Sequence, residues 1–456
     1  MLPSTQNSHS TFVSNKLITM KNKLLLTFIG IFALAFNAIG QDTIAISKKE
    51  ILEKVNDNNL QIKIANQAAA SAKADYNQSN SLFLPSISAS HTAISTTNPL
   101  MAFGSKLNQE ILTASDFNPA LLNNPDKTQN FATKIEVLQP LINVDGFYGR
   151  QAAKSKYEAY KLQTERTKEY LQFEVNKSFM QLQLAYKAVS VLEKAEATTL
   201  ANLKTVENYA KQGMLQKTDL LSMQVRVNEV KNQLQYAKSN VQNASDYLAF
   251  LLNEDNANKV YKPIEDIENA IEISSFEPKL ISNRKDILAM DKSVEAYGQM
   301  TQMNKMGFLP RLNAFGSYEL YDDKIFQTGA KGYTVGAQLS WDVFDGYKTI
   351  GKYQKAKADY DKAQTESQHY KAQSQLELNK TNRQLVDAEN KVNLSKLALE
   401  QSQEAYRIRE NRFKEGLEKT TDLLNSETLQ FQKELEYLQA VFEYNFTQKY
   451  LEFLTQ

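Results

Sequence analysis

The sequence predicts a mainly helical protein with a transmembrane β part, built as a tandem duplication of long helical hairpins with four strands per chain. Three observations support this fold class. Glycine (15) and proline (9) are scarce in a chain of 456 residues, which favours long helices joined by few turns. Three sequence landmarks occur twice in the same order, which indicates an internal repeat. Alternating stretches of about ten residues match the length of strands that cross a bilayer.

The composition excludes several classes of function. Lys and Arg (53) nearly balance Asp and Glu (52), so no overall positive charge predicts nucleic acid as a partner. Cysteine is absent, which excludes disulfides, thiolate metal sites and a cysteine nucleophile. His9, His91 and His369 are too far apart in sequence to predict a metal cluster. No group of nucleophile, base and oxyanion donors is evident. We therefore expect no enzyme, no catalytic or metal-binding residue and no cofactor.

Residues 1–40 are predicted to be a leader with a secretory signal peptide. A basic stretch precedes the apolar run 24–36, and small residues lie before the expected cleavage site at Gln41. The alternative is a membrane anchor, but the run is shorter than the roughly 20 residues that a spanning helix needs. Met20 lies where the translation start of such a peptide is expected. The mature chain is therefore predicted to be exported.

The duplicated landmarks divide the rest of the chain. The first repeat is predicted over 41–252 and the second over 281–456, with a linker over 253–280 where acidic residues and two prolines interrupt the helical pattern. Each repeat is expected to contain a helix, two strands and a long helical hairpin. The landmark pairs are 83–85 with 308–310, 144–146 with 344–346, and 213–221 with 416–424.

The first helix is expected to begin after Ser47, which forms a capping-box pattern with Glu50. It should run to about Leu82, because Pro85 disfavours helical geometry in the residue before it. The segment 98–127 is expected to be a long loop that joins the first two strands.

Two stretches, 131–139 and 333–341, alternate with the period of a β-strand. Residues 86–96 and 311–321 are weaker candidates for their partners. For any single strand a soluble sandwich is an alternative, but four strands in an exported helical chain favour a membrane barrel. Because four strands cannot close a barrel and lipid tolerates no open edge, an oligomer is implied. The predicted lipid-facing side chains of one strand are Tyr333, Val335, Leu339 and Trp341.

The long helices carry a coiled-coil pattern. A helix is predicted over 148–212, and the helix after the next turn has two apolar rows with a seven-residue period, which require a packed neighbour helix. A soluble fibrous coiled coil is the alternative for this pattern alone. The two rows are Leu220, Val227, Leu234, Val241 and Leu248, and Met223, Val230, Ala237, Ala244 and Leu251.

Taken together, these features resemble the TolC-type outer-membrane efflux family. The resemblance covers nearly all of residues 45–456. It rests on the two Leu-Pro junctions, the two Asp-Gly junctions, the segment 284–287 and the two turns that read Gly to Asp-Leu-Leu. Any one of these motifs is weak, whereas their order and duplication are specific.

The resemblance implies a homotrimer in the outer membrane. Each chain would contribute four strands to a 12-stranded β-barrel, joined to an α-helical barrel that crosses the periplasm. The implied function is the passive exit duct of a tripartite efflux pump or a type I secretion system. The implied partners are a periplasmic adaptor protein, indirectly an inner-membrane pump or ABC transporter, and the lipid of the outer membrane. The exported substrate is not predicted.

The resemblance also implies a periplasmic gate at the second turn. Asp422 matches an acidic position of the family, whereas Asn425 stands where a second acid is expected, and Asp219 is the secondary candidate in the first turn. An aspartate after a turn is equally well explained as a helix cap.

The two turns are further expected to dock the adaptor. The docking residues implied by the resemblance are Gly213, Thr218, Gly416 and Thr421. The competing hypothesis for the whole chain is a periplasmic coiled-coil adaptor or tether without a pore, although no small β-domain typical of an adaptor is evident.

Overall fold

The computed structural model describes residues 42–255, 259–267 and 282–456. The predicted leader lies outside the described residues, as does much of the predicted linker. The helices are α1 (Lys48–Asn58), α2 (Leu60–Gln78), α3 (Pro99–Asn108), α4 (Pro119–Asn123), α5 (Val144–Lys211), α6 (Lys217–Leu252), α7 (Lys285–Met306), α8 (Lys348–Lys414) and α9 (Thr420–Thr455). The strands are β1 (Asp42–Ile46), β2 (Ser86–Thr96), β3 (Thr128–Ile142), β4 (Lys259–Pro263), β5 (Arg311–Asp322) and β6 (Ala330–Ser340).

The chain divides into two compact units, each assembled from segments of both predicted repeats. Within the described residues, unit 1 contains 42–55, 175–255, 259–267 and 395–442. Unit 2 contains 56–174, 282–394 and 443–456. The long helices α5, α8 and α9 contribute to both units, so the compact units do not coincide with the predicted repeats.

Unit 2 contains the four predicted strands as one antiparallel sheet with the order β2-β3-β5-β6. The prediction of a strand over 86–96 is confirmed, and the strand predicted over 131–139 is longer, covering Thr128–Ile142. Each repeat supplies one hairpin, and the two hairpins meet where β3 pairs with β5. The sheet therefore combines two strands from each of the predicted repeats.

A β-bulge in β3 accommodates additional sequence in the first repeat. Pro140 pairs with Asn313, but the next pair in the register joins Ile142 to Leu312, so Leu141 is an extra residue. Without the bulge, one extra residue would turn every following side chain to the opposite face of the sheet. Pro140 is tolerated here because the pairing of β3 with β2 ends before it, at Leu138.

The prediction of a single helix up to Leu82 is wrong, because the chain leaves helical geometry at Asn59. This residue has an extended backbone (φ −61°, ψ 131°) and its side-chain oxygen accepts hydrogen bonds from the N–H groups of Gln61 (2.8 Å) and Ile62 (3.4 Å). Asparagine competes well for such bonds, so it ends α1 and caps α2. The final turn before Pro85 is a 3₁₀ helix over Ser79–Leu82.

The segment 98–127 joins β2 and β3 as predicted, but part of this predicted long loop is helical. The segment contains α3 and α4, each with a proline in its first turn and an asparagine cap, Asn98 and Asn118. Proline at the first helical position loses no hydrogen bond, since that N–H has no partner inside the helix.

The predicted coiled-coil seam is confirmed in unit 1. Most positions of the two rows on α6 are buried, and they pack against α5. One cluster joins Val191 and Ala195 of α5 to Val230 of α6 and Phe431 of α9. Thus the two helical hairpins share one hydrophobic core within unit 1 rather than forming separate pairs.

A parallel pair of short strands, β1 and β4, was not expected from the sequence. Asp42–Ile46 pairs with Lys259–Pro263, and buried Tyr261 fixes β4 to the end of α6. The Tyr261 N–H donates to Ser245 Oγ (2.8 Å), and its hydroxyl donates to the Glu254 carboxylate (2.7 Å).

In unit 2, two arginines bind the end of the last helix. Arg284 donates to the carbonyl of Leu454 (3.1 Å) and Arg166 donates to that of Phe453 (3.1 Å). The last carbonyls of a helix have no partner within the helix, so a cation there satisfies them and interacts favourably with the helix dipole. Asp286 joins the two guanidinium groups, at 2.7 Å from Arg284 and 3.4 Å from Arg166.

The charge on Asp286 is favoured by these contacts. Burial raises the pKa of Asp286, but hydrogen bonds from Arg284 and Tyr370 and the nearby positive charges outweigh it and hold the pKa below its usual range. Because Arg284 is only 2% exposed, the cluster is a buried ion pair in which Arg284 also donates to Leu454 O and Ser374 Oγ.

Replacing Arg284 by alanine should reduce the free energy of unfolding by about 3–5 kcal/mol, the typical cost of removing one partner of a buried ion pair. The adjacent Lys285 is a matched control, because its ion pair with Glu165 (3.4 Å) is about 40% exposed on both sides and exposed pairs contribute below about 1 kcal/mol. Denaturant unfolding of Arg284→Ala and Lys285→Ala measures the free energy of unfolding of each variant. Equal effects would contradict the assigned role of Arg284.

Candidate functional site

The two hairpin turns of unit 1 close with the same backbone hydrogen bonds. In the first turn the Gly213 N–H donates to Ala210 O (3.1 Å), and the Met214 N–H donates to Tyr209 O (2.9 Å). The same pair of bonds recurs in the second turn around Gly416. Both glycines have a left-handed backbone, with φ of +74° and +73°, which explains the choice of glycine at these two ends.

After these shared closures, the acidic residues of the two turns are in different environments. Asp219 accepts a hydrogen bond from the Gln216 N–H (3.1 Å) and so caps the start of α6. The Asp422 carboxylate lies 3.8 Å from Arg409 Nη1 and is 41% exposed. The cap interpretation therefore applies to Asp219, while Asp422 combines exposure with a neighbouring cation.

The second turn also carries a small ion-pair network. Glu418 lies 3.4 Å from Arg409 and 2.9 Å from Arg412, both near the end of α8. Two of the predicted side chains, Asn425 and Thr421, are exposed on the same turn. The structure therefore brings Asp422 and Asn425 to the first turns of α9, with Arg409 as the ion-pair partner of the aspartate.

The other predicted docking residues lie on the first turn. Thr218 is exposed, and so is the Met214 side chain beside Gly213. In the second turn Leu417 is exposed at the equivalent position. Each turn thus presents a glycine, a threonine and one apolar side chain to its surroundings.

Beyond the second turn, unit 1 buries a carboxylic acid that sequence reasoning missed. Glu427 of α9 is 0% exposed. It lies 2.5 Å from both Thr199 Oγ1 and Asn202 Nδ2 of α5, and 3.8 Å from Arg226 Nε of α6. Tyr406 of α8 accepts a second hydrogen bond from Asn202 (3.1 Å). The cluster therefore links all four long helices of unit 1.

The contact between Thr199 and Glu427 is compatible with two arrangements of hydrogens. Thr199 has a single hydroxyl hydrogen, and its oxygen lies 2.8 Å from Ala195 O as well as 2.5 Å from Glu427. If the hydroxyl donates to Ala195 O, a protonated Glu427 supplies the hydrogen for the second contact. Burial raises the pKa of Glu427, although hydrogen bonds from Thr199 and Asn202 and the charge of Arg226 oppose the increase.

The strand register separates an apolar and a polar face of the sheet. Tyr333, Val335 and Leu339 are 67–77% exposed on one face, and Trp341, just beyond β6, donates its indole N–H to Phe308 O (3.0 Å). The register places Ile87, Ala89, Ile135, Val137 and Tyr318 on the same face.

The opposite face is polar. Lys134 lies 3.3 Å from Glu136 and 3.7 Å from Glu319. Facing positions on the neighbouring strands include Ser88, Ser90, Thr334 and Gly336, and Leu138 with Phe315 are apolar residues on the same face. A sheet with one apolar and one charged face can separate lipid from water.

Among the described residues, no helix is both long and apolar enough to span a bilayer. Within the same residues no group of three or more potential metal ligands comes together.

Comparison with known proteins identifies the fold. Residues 278–454 match the model of the family described as outer membrane efflux protein. Among solved structures, a membrane protein from Pseudomonas aeruginosa superimposes with a TM-score of 0.78 at 15% identity, covering 90% of this chain and 93% of that one. VceC from Vibrio cholerae (TM-score 0.76, 16% identity, 90% and 96% covered) and CmeC from Campylobacter jejuni (0.76, 16%, 90% and 85%) are similar. Among curated proteins, no sequence matches this chain.

The predicted resemblance to the TolC-type family is confirmed by the family match and the structural matches together. The family description also confirms the predicted outer-membrane localisation. At identities of 15–16% the structural likeness establishes the fold alone.

Replacing Glu427 by glutamine should increase stability at neutral pH relative to the parent protein. A raised pKa in the folded state means that the parent loses stability as pH rises from the unfolded pKa toward the folded one, whereas glutamine keeps the neutral hydrogen bonds. Unfolding of both proteins between about pH 4 and pH 8 should show a difference that grows with pH.

Glu404→Gln is the matched control. Hydrogen bonds from Arg407 lower the pKa of Glu404, so the carboxylate form is favoured in the folded protein. Replacing this carboxylate by an amide should therefore lower the stability at neutral pH, opposite to the effect of Glu427→Gln. If the parent protein instead becomes more stable than Glu427→Gln as the pH rises, Glu427 is ionised in the folded protein and paired with Arg226.

Proposed function

We propose that this chain is one protomer of a trimeric outer-membrane channel that serves as the passive exit duct of an efflux pump. The observation that carries the proposal is the four-stranded antiparallel sheet with one apolar and one charged face. Among the described strands, β2 and β6 are its edges, and an edge of unpaired backbone groups is not tolerated in lipid. Pairing β6 of one copy with β2 of the next closes a barrel of 12 strands.

The helical part supports the same proposal. Long hairpins with a shared core in unit 1 are suited to line a tunnel; in sequence, α5 follows β3 and α8 follows β6 after the connection 341–347. Transport needs no chemistry from this chain, because selectivity in a pore depends on its width and on the charge of its lining. Energy would come from an inner-membrane pump or ABC transporter, and export of peptides in a type I secretion system is the second candidate role.

Single-channel recording of the detergent-extracted protein, with size analysis of the same sample, tests the function. We expect a trimer and discrete conductance steps in a planar bilayer. A monomer or soluble rod without conductance would overturn the proposal and favour the coiled-coil tether.

Asp422 is proposed as the gate residue, because it matches the acidic position implied by the resemblance and its side chain is 41% exposed at the start of α9. Three copies would form an acidic ring, partly neutralised by Arg409. Asp422→Asn should lower the preference of the channel for cations, measured as a shift in reversal potential under a salt gradient. Asp219→Asn is the comparison: it keeps a side chain that can cap α6 and should leave the reversal potential unchanged. The reverse outcome would move the gate to the first turn.

The two turns are proposed to dock a periplasmic adaptor through Gly213, Thr218, Gly416 and Thr421. Gly416→Val should abolish transport in cells that depend on this channel, because valine cannot adopt the left-handed backbone without strain. Gly416→Asn should retain transport, since asparagine tolerates that conformation. Trimer assembly, followed by size analysis, should persist in both. Full transport by Gly416→Val would contradict the docking proposal.

A further inference from the structure

The segment between β2 and β3 is held in one folded arrangement by its own contacts. Lys106 of α3 forms an ion pair with Asp116 (2.8 Å). The rings of Phe103 and Phe117 meet edge to face with centroids 5.6 Å apart. The N–H of Thr113 donates to the Asp116 carboxylate (2.8 Å). These contacts connect α3 to the chain that follows it, so α3 has a defined position.

Gln109, just after α3, fixes this segment to the sheet. It is 5% exposed, and its side-chain nitrogen lies 2.8 Å from Gln129 O, 2.9 Å from Asn130 Oδ1 and 3.1 Å from Asp322 O. These acceptors belong to β3 and β5, so one amide group reaches both repeats. A buried amide with its donors satisfied holds its surroundings in place.

The contacts also show which face of the sheet α3 covers. Thr128 and Asn130 are buried, while Gln129 between them is exposed. By the two-residue period of a strand, Thr128 and Asn130 share a face with Lys134 and Glu136. Helix α3 therefore lies against the polar face, on the side opposite to Tyr333 and Val335.

The location along the sheet follows from the connections. The β2–β3 and β5–β6 connections leave the same end of the sheet, whereas the long helices α5 and α8 leave the other end. In the proposed channel the polar face surrounds the lumen, so α3 lies inside the barrel at its outer mouth.

The side of α3 that faces away from the sheet is apolar and uncharged. Ala102, Ser105 and Gln109 point toward the sheet and are buried. On the opposite side, Leu100 (82% exposed) and Leu107 are three or four residues from Gly104, so the three form one stripe. A Cβ added at Gly104 would meet no atom within 4 Å.

We infer that three copies of α3 converge on the axis of the channel and form an apolar constriction just inside its outer mouth, lined by Leu100, Gly104 and Leu107. This inference rests on the proposed function, since it needs a trimer with the polar face inward. The occupant of the exposed stripe is the same helix of the two other copies. A lipid occupant would require α3 to lie on the apolar face, which is the opposite side of the sheet. Water leaves a narrow apolar constriction readily, and hydrated ions do not pass through the dry segment.

Two substitutions test the constriction by conductance. A Cβ at Gly104 meets no atom of its own chain within 4 Å, so Gly104→Trp should fold and trimerise. Its single-channel conductance should be lower than that of the parent protein. Val335→Trp is the matched control, because it adds the same ring on the apolar face and should leave the conductance unchanged.

A cysteine provides a second readout, since the chain has none of its own. Leu107→Cys should form disulfide-linked pairs of chains on mild oxidation, with a loss of conductance that a reductant reverses. Val335→Cys should do neither.

The outcomes separate the constriction from the channel itself. Trimeric pores in the parent, with unchanged conductance in Gly104→Trp and no cross-link in Leu107→Cys, would overturn the constriction alone. A parent protein without discrete pores would overturn the proposed function, and the constriction with it.

Discussion

The seven-residue seam between α5 and α6 is the constraint on which unit 1 depends. A helix that repeats apolar residues every 3.5 positions must keep that row against a neighbour over its whole length. The buried row that contains Met223, Val230 and Leu251 does so. Because Phe431 of α9 packs into the same core, the second hairpin is held in a fixed register with the first. The position of each turn, and so of Asp422, follows from this register.

Two buried charged groups fix the helices in different ways. Arg284 contributes a positive charge that is paired with Asp286, and it also donates hydrogen bonds to Ser374 and to the end of α9. Glu427 lies among neutral partners with one cation at 3.8 Å, and its neutral form is the cheaper one to bury. The first group therefore joins helices through complementary charge. The second joins them through hydrogen bonds that depend on its protonation.

The sequence was sufficient to predict features that repeat within a short window. The seam on α6 has a period of seven and the strands around Val335 have a period of two, so each could be recognised locally. The same reasoning did not predict the break at Asn59, because a strong cap competes with an otherwise good helix. It missed Glu427 because its partners Thr199 and Asn202 are more than 200 residues away in sequence. Likewise, nothing local indicates that β1 pairs with β4, or that Gln109 reaches β3 and β5.

The bulge at Leu141 has a consequence for where β3 can hold an added residue. An odd number of inserted residues in a strand normally turns every following side chain to the opposite face of the sheet. In a membrane-spanning sheet this would expose polar side chains to lipid and destabilise the fold. At Leu141 the extra residue is absorbed beyond the last pair with β2 and before the start of α5. An added residue is therefore tolerated in the last residues of β3, whereas the same addition before Leu138 would shift the pairing of β3 with β2. β3 can therefore hold one more residue beyond Leu138 while its pairing with β2 keeps a continuous register.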